Sequence, residues 1–67
     1  MYLNIYQTYV FSVFGEIKEL KINQLEKEVD NNGVFYGIGT DSFWCWFRED
    51  GGVFVSLDKT IKILGYA

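Results

Sequence analysis

The chain has 67 residues, with nine acidic against six basic side chains, a net charge of −3, one Cys, no His and no Pro. Without His there is no Ser-His-Asp triad, no Cys-His pair and no imidazole metal site or pH switch. A single Cys closes no internal disulfide and builds no thiolate zinc cage, so no metal and no cofactor is expected.

So short a chain reads as one domain, and one that must stay folded without a covalent or metal staple. Its resource is aromatic: six Phe, five Tyr and two Trp, 19% of all residues. Each buried ring removes ~150–250 Å² from water, yet a chain this small has little interior to hold them all. Some rings therefore belong at the surface or between subunits, and a homo-oligomer, a dimer or larger, is expected. The unpaired Cys fits a reduced, cytoplasmic setting. No positive charge precedes Lys18, and Asn4, Gln7, Thr8 and Ser12 interrupt the apolar residues, so neither a signal peptide nor a membrane span is expected.

Residues 2–14 alternate with period two and are rich in aromatic and β-branched side chains, which predicts a long strand. Gly15-Glu16 supplies a two-residue turn, placing Phe11 opposite Leu20 and Tyr9 opposite Ile22. A competing reading starts a helix near Glu16 with Ile17, Leu20 and Leu25 on one face. Next, Asn23 and Glu26 resemble a capping box, and Leu25 and Val29 share a face four residues apart. That spacing predicts a short amphipathic helix from Asn23, with Glu26, Lys27, Glu28 and Asp30 in water and Asn31-Asn32-Gly33 as its stop. A β-meander follows: Val34 to Ile38, Ser42 to Arg48, a hairpin loop at Glu49-Asp50-Gly51-Gly52, and Val53 to Leu57. Asp58-Lys59 turns into a last strand, Thr60 to Tyr66. Its rival is a helix capped by Ser56 with Leu57, Ile61 and Leu64 on one face. The expected fold is α+β, in the order β-β-α-β-β-β-β, a mostly antiparallel sheet with one helix packed on it.

Phe43-Trp44-Cys45-Trp46-Phe47 is apolar on both faces of a strand: Phe43, Cys45 and Phe47 point one way, Trp44, Trp46 and Arg48 the other. One side must be core. The other is covered by the helix, covered by a second subunit, or left as a platform, since Trp, Tyr and Arg dominate binding hot spots. Cys45 without a His reads as a small buried hydrophobe, not a nucleophile. Gly37-Ile38-Gly39-Thr40 lacks the third glycine and the following helix of a dinucleotide loop, and reads as a glycine-lightened strand end. The carboxylates form no pair that a glycosidase would need, so an enzyme is not expected.

The bases Lys18, Lys21, Lys27, Arg48, Lys59 and Lys62 are dispersed in an acidic chain, which argues against direct DNA binding. An acidic, aromatic protein suits a basic groove of another protein instead, with carboxylates steering the encounter and rings anchoring it. The leading expectation is a binding protein that inhibits or modulates a larger partner through Trp44, Trp46, Arg48, Glu49 and Asp50. The alternative is an oligomer that sequesters a small nucleotide through Trp44, Trp46, Arg48, Lys59 and Lys62, and a structural or assembly component is a further one. In size and composition the chain resembles many phage-encoded proteins that inhibit a host or defence enzyme. That likeness implies an inhibitor and rests on no specific motif.

Overall fold

The computed structural model describes Met1–Ala67, and its ordered elements are all strands: β1 (Thr8–Val13), β2 (Glu16–Lys21), β3 (Gln24–Asp30), β4 (Gly33–Gly39), β5 (Trp44–Asp50), β6 (Val53–Ser56) and β7 (Ile61–Tyr66). They form one seven-stranded antiparallel sheet in the order β2-β1-β7-β6-β5-β4-β3. The fold is all-β, and the expected α+β class is wrong. No helix is long and apolar enough to cross a membrane.

The correction falls on residues 23–30. Where a capped helix is predicted, β3 pairs with β4 along its whole length, from Gln24↔Gly39 to Asp30↔Gly33. The misreading has a simple cause. Leu25 and Val29 are four residues apart, and four is even, so they share a face in a strand as they do in a helix. Only Lys27 breaks the alternation of Leu25, Glu26, Lys27, Glu28, Val29, Asp30. Two apolar residues give a helix little to bury, whereas the strand satisfies its amides against a neighbour. Asn31-Asn32-Gly33 closes a hairpin rather than a helix: the Asn32 amide donates to Asp30 Oδ1 at 2.7 Å, and Gly33 takes a positive φ of 116°.

The first hairpin also differs in register. Its turn is Phe14-Gly15, both with positive φ (50° and 84°), so Tyr9 faces Leu20 and Phe11 faces Lys18. The shift is two residues, which leaves every side chain on its expected face. It also frees Ile22 from the hairpin. Ile22 and Asn23 are the whole connection between β2 and β3, the two ends of the sheet order, so the sheet must curl until those ends meet at one corner. Ile22 fills that corner, fully buried. Its amide donates to Gln7 O at 3.0 Å, and the Asn23 amide donates to Gly39 O at 2.9 Å, so the bend keeps its hydrogen bonds.

Curling gives the sheet an inner and an outer face. Tyr9, Phe11, Ile22, Ile38, Phe47, Phe54, Ile61 and Ile63 form the buried core on the inner one. Phe43 joins the two halves, 5.6 Å from the Phe11 ring and 6.4 Å from that of Phe47. Residues 2–7, expected as strand, instead form with Met1 a strap across the open end. Tyr9 Oη accepts from the Asn4 amide at 2.7 Å and donates to Tyr2 O at 3.2 Å, and Tyr66 Oη donates to the same carbonyl at 3.1 Å. Tyr2, Tyr6, Phe14, Trp44 and Tyr66 are left exposed, so surplus rings do lie at the surface. The free edges β2 and β3 each carry a lysine at mid-strand on the inner side, Lys18 beside Phe11 and Lys27 beside Tyr36. Inward-pointing charges of this kind discourage edge-to-edge growth.

Residues 61–66 are a strand and not the rival helix. By contrast, β5 begins at Trp44 rather than Ser42 and takes in Glu49 and Asp50, expected in the loop but paired with Phe54 and Val53, so that Gly51-Gly52 alone make the turn. The β6–β7 turn is held by one carboxylate oxygen: Asp58 Oδ1 accepts from Ser56 Oγ at 2.7 Å, Thr60 Oγ1 at 2.7 Å and the Thr60 amide at 3.1 Å. The Ser56 hydroxyl first, then Thr60, favour the ionised carboxyl and lower its pKa from the ordinary 3.8. A lowered folded-state pKa stabilises the fold fully above the unfolded value and loses that contribution as pH falls through the folded one. Asp58→Ala should therefore lower the urea midpoint at pH 7, and the gap to wild type should close as pH falls below the ordinary carboxylate value. A gap that stays constant down to pH 2 would show that ionised Asp58 does not hold the turn.

Candidate functional site

Alternation along β5 sends Cys45, Phe47 and Glu49 inward and Trp44, Trp46, Arg48 and Asp50 outward. What lets two indoles lie on the outer face is the strand beside them. Gly37 pairs with Trp46 and Gly39 with Trp44, so β4 offers bare backbone where the rings come down. A Cβ on Gly37 would stand 2.5 Å from Trp44 Cη2, 2.8 Å from Trp44 Cζ2 and 3.1 Å from Trp46 Cζ3. At Gly39 it would meet Gln24 Oε1 at 2.8 Å and Trp44 Cε3 at 3.1 Å. The glycines lie at the end of β4, whose last residue is Gly39, as expected, and there they form a floor for the indoles. The two rings meet edge to face with centroids 5.8 Å apart.

Around this pair the face is mixed. Phe35 stands next along β4, and the Arg48 guanidinium lies 4.7 Å from its ring centroid while donating to Asn32 O. The edge strand β3 turns Glu26, opposite Gly37, and Glu28, opposite Phe35, to the same side. Beyond Trp46 sits Leu57, whose amide donates to Trp46 O at 3.1 Å and whose side chain is exposed. The result is an aromatic stripe with an acidic border.

The expected partner-binding set is thus brought together except at one position. Trp44, Trp46, Arg48 and Asp50 share the outer face, whereas Glu49 alternates inward to the open end, beside Tyr36 and Phe54. The acidic members that frame the indoles are Glu26 and Glu28, which a helical reading assigns to plain solvation. Phe35, Gly37, Gly39 and Leu57 were missed as well. One signal for the glycines was legible: Gly-x-Gly and Trp-x-Trp on neighbouring strands, small against large at the same period.

The alternative ligand set is less coherent. Lys62 is separated from Arg48 by Val55, and Lys59 lies in the β6–β7 turn with φ 65°. The groove of about 340 Å³ that Arg48 and Lys59 both line is also lined by Glu49 and Asp50. The Asp50 carboxylate there repels a phosphate, and Arg48 already has Phe35 and Asn32. Cys45 is half-buried on the inner side opposite Ile38. Burial first, and the Asp58 carboxylate second, push its thiol up to about 11, the opposite of an activated nucleophile. No known protein family, curated protein or solved structure matches this chain.

Proposed function

We propose that this protein is a binding module that grips a larger protein with the outer face of β4 and β5 and so inhibits or modulates it. One observation carries the reading: Trp44 remains 43% exposed although it and Trp46 are seated on a floor of Gly37 and Gly39. An indole used only to fill space would be covered, whereas Ile5 and Gln24 on one side and Ser56, Leu57 and Asp58 on the other line grooves beside Trp44 and leave it part-exposed. Rigid, part-exposed aromatics lose little conformational entropy on binding, which is why they serve as anchors. Glu26, Glu28 and Asp50 add the negative potential that steers a basic partner.

The test is native mass spectrometry of the protein recovered with its partners from its own cells, for wild type and Trp44→Ser. Truncating a hot-spot Trp costs roughly 2 kcal/mol or more, about 30-fold in affinity, so the larger protein should be retained by wild type and lost from the variant. The variant should keep a cooperative thermal melt, so that loss of the partner is not loss of the fold. A partner held equally by both would place the contact elsewhere. A bare assembly of identical copies in both would replace the heterologous partner with self-association.

A further inference from the structure

Glu28, Phe35, Trp46 and Leu57 line a cleft of about 210 Å³ on the outer face. It is small, with room for about seven waters at roughly 30 Å³ each, on the scale of one long side chain. Three of its walls are apolar, two of them aromatic rings, and its one polar wall is a carboxylate. Glu28 has no cationic partner, since Lys18–Glu16 at 3.8 Å is the only ion pair in the structure. Glu26 lies two residues along the same face of the same strand. The face also already holds one cation, the Arg48 guanidinium over Phe35, tied back to Asn32 O.

Deepening the reading above, on which it rests, we infer that this cleft receives a lysine side chain of the protein partner, its alkyl stem along Trp46 and Leu57 and its ammonium at Glu28. An apolar side chain would leave the carboxylate facing it without a counter-charge, and an acidic one would meet Glu28 and Glu26 at short range. A lysine satisfies both halves of the cleft, since its methylenes pack on apolar surface while the ammonium reaches the charge at the rim. The resident Arg48 limits the site to one cation. It occupies Phe35, which leaves Trp46 as the open ring.

The probe is the capped amino acid N-acetyl-lysine methylamide, titrated against the ¹⁵N-labelled protein while the Trp46 indole N–H resonance is followed; Trp44→Phe assigns that resonance. N-acetyl-norleucine methylamide, nearly the same shape without the charge, is the control. The lysine probe should bind about three- to fivefold more tightly than the norleucine one, the advantage of an exposed ion pair between its ammonium and the Glu28 carboxylate. Glu28→Gln should bring the two probes together, while Glu19→Gln on the remote β2 edge should change nothing. Equal binding of both probes to wild type, or a lysine preference that survives Glu28→Gln, would overturn the assignment. The two proposals fail separately. Loss of partner with Trp44→Ser but no lysine preference keeps the face and removes this occupant. A lysine preference with the partner still held by Trp44→Ser keeps the cleft and removes the face.

Discussion

Gly37→Ala is expected to lift the Trp44 indole off β4 and to nudge Trp46. The new methyl carbon would lie 2.5 Å from the far edge of Trp44, inside any tolerable contact, and a tight 3.1 Å from Trp46. Backbone cannot yield there, because Gly37 is paired on both sides, with Glu26 of β3 and Trp46 of β5. The rings must move instead, toward solvent. Overpacking of this kind costs about 1–3 kcal/mol, and Trp44, already part-exposed, should absorb most of it by swinging out. Tryptophan emission should shift to the red and the urea midpoint should fall. A double-mutant cycle isolates the cause: in a Trp44→Ser background the same Gly37→Ala change should be much less costly, because the nearest atoms are gone. If Gly37→Ala leaves emission and midpoint unchanged, the indoles do not rest on β4 and the binding face loses its support.

How much of this was open to a reader of the residues alone varies with the reach of the interaction. The alternation that splits Phe43, Cys45 and Phe47 from Trp44, Trp46 and Arg48 is local, and β5 follows it. So is the Gly51-Gly52 hairpin, where φ values of 60° and 91° suit glycine and few other residues. The loss of the helix at Asn23 is a different matter. Asn23 and Glu26 form a plausible cap, but seven residue pairs with β4 outweigh it, and that pairing is visible only once β4 is in place. The same absence hid the site's acidic border. On a helix Glu26 and Glu28 are ordinary solvated carboxylates, and on β3 they stand beside Phe35 and the Trp46 ring. Glu49 shows the converse: adjacent in sequence to Arg48 and Asp50, it is carried to the other face by the pleat.

The opposite face of the same strand gives the largest expected loss. Phe47 is fully buried, pairs with Tyr36 on one side and Ser56 on the other, and packs against Phe43, which reaches Phe11 across the core. Phe47→Ala should cost about 3–5 kcal/mol, since a ring-sized cavity opens where both halves of the sheet meet. Domains hold roughly 0.05–0.15 kcal/mol per residue, so a chain this short has about 3–10 kcal/mol in all. No disulfide or metal site stands behind it. The substitution should therefore lower the melting temperature by more than about 15 °C and leave a substantial unfolded fraction at 37 °C, as read by circular dichroism. Phe47→Leu, which keeps most of the volume, should lose far less. A Phe47→Ala protein that melts within a few degrees of wild type would mean that the core is not organised around this ring. Set beside Trp44→Ser, which removes a part-exposed ring and should cost far less stability than Phe47→Ala while releasing the partner, the pair separates the two sides of β5. The inner side holds the fold together, and the outer side is free to hold something else.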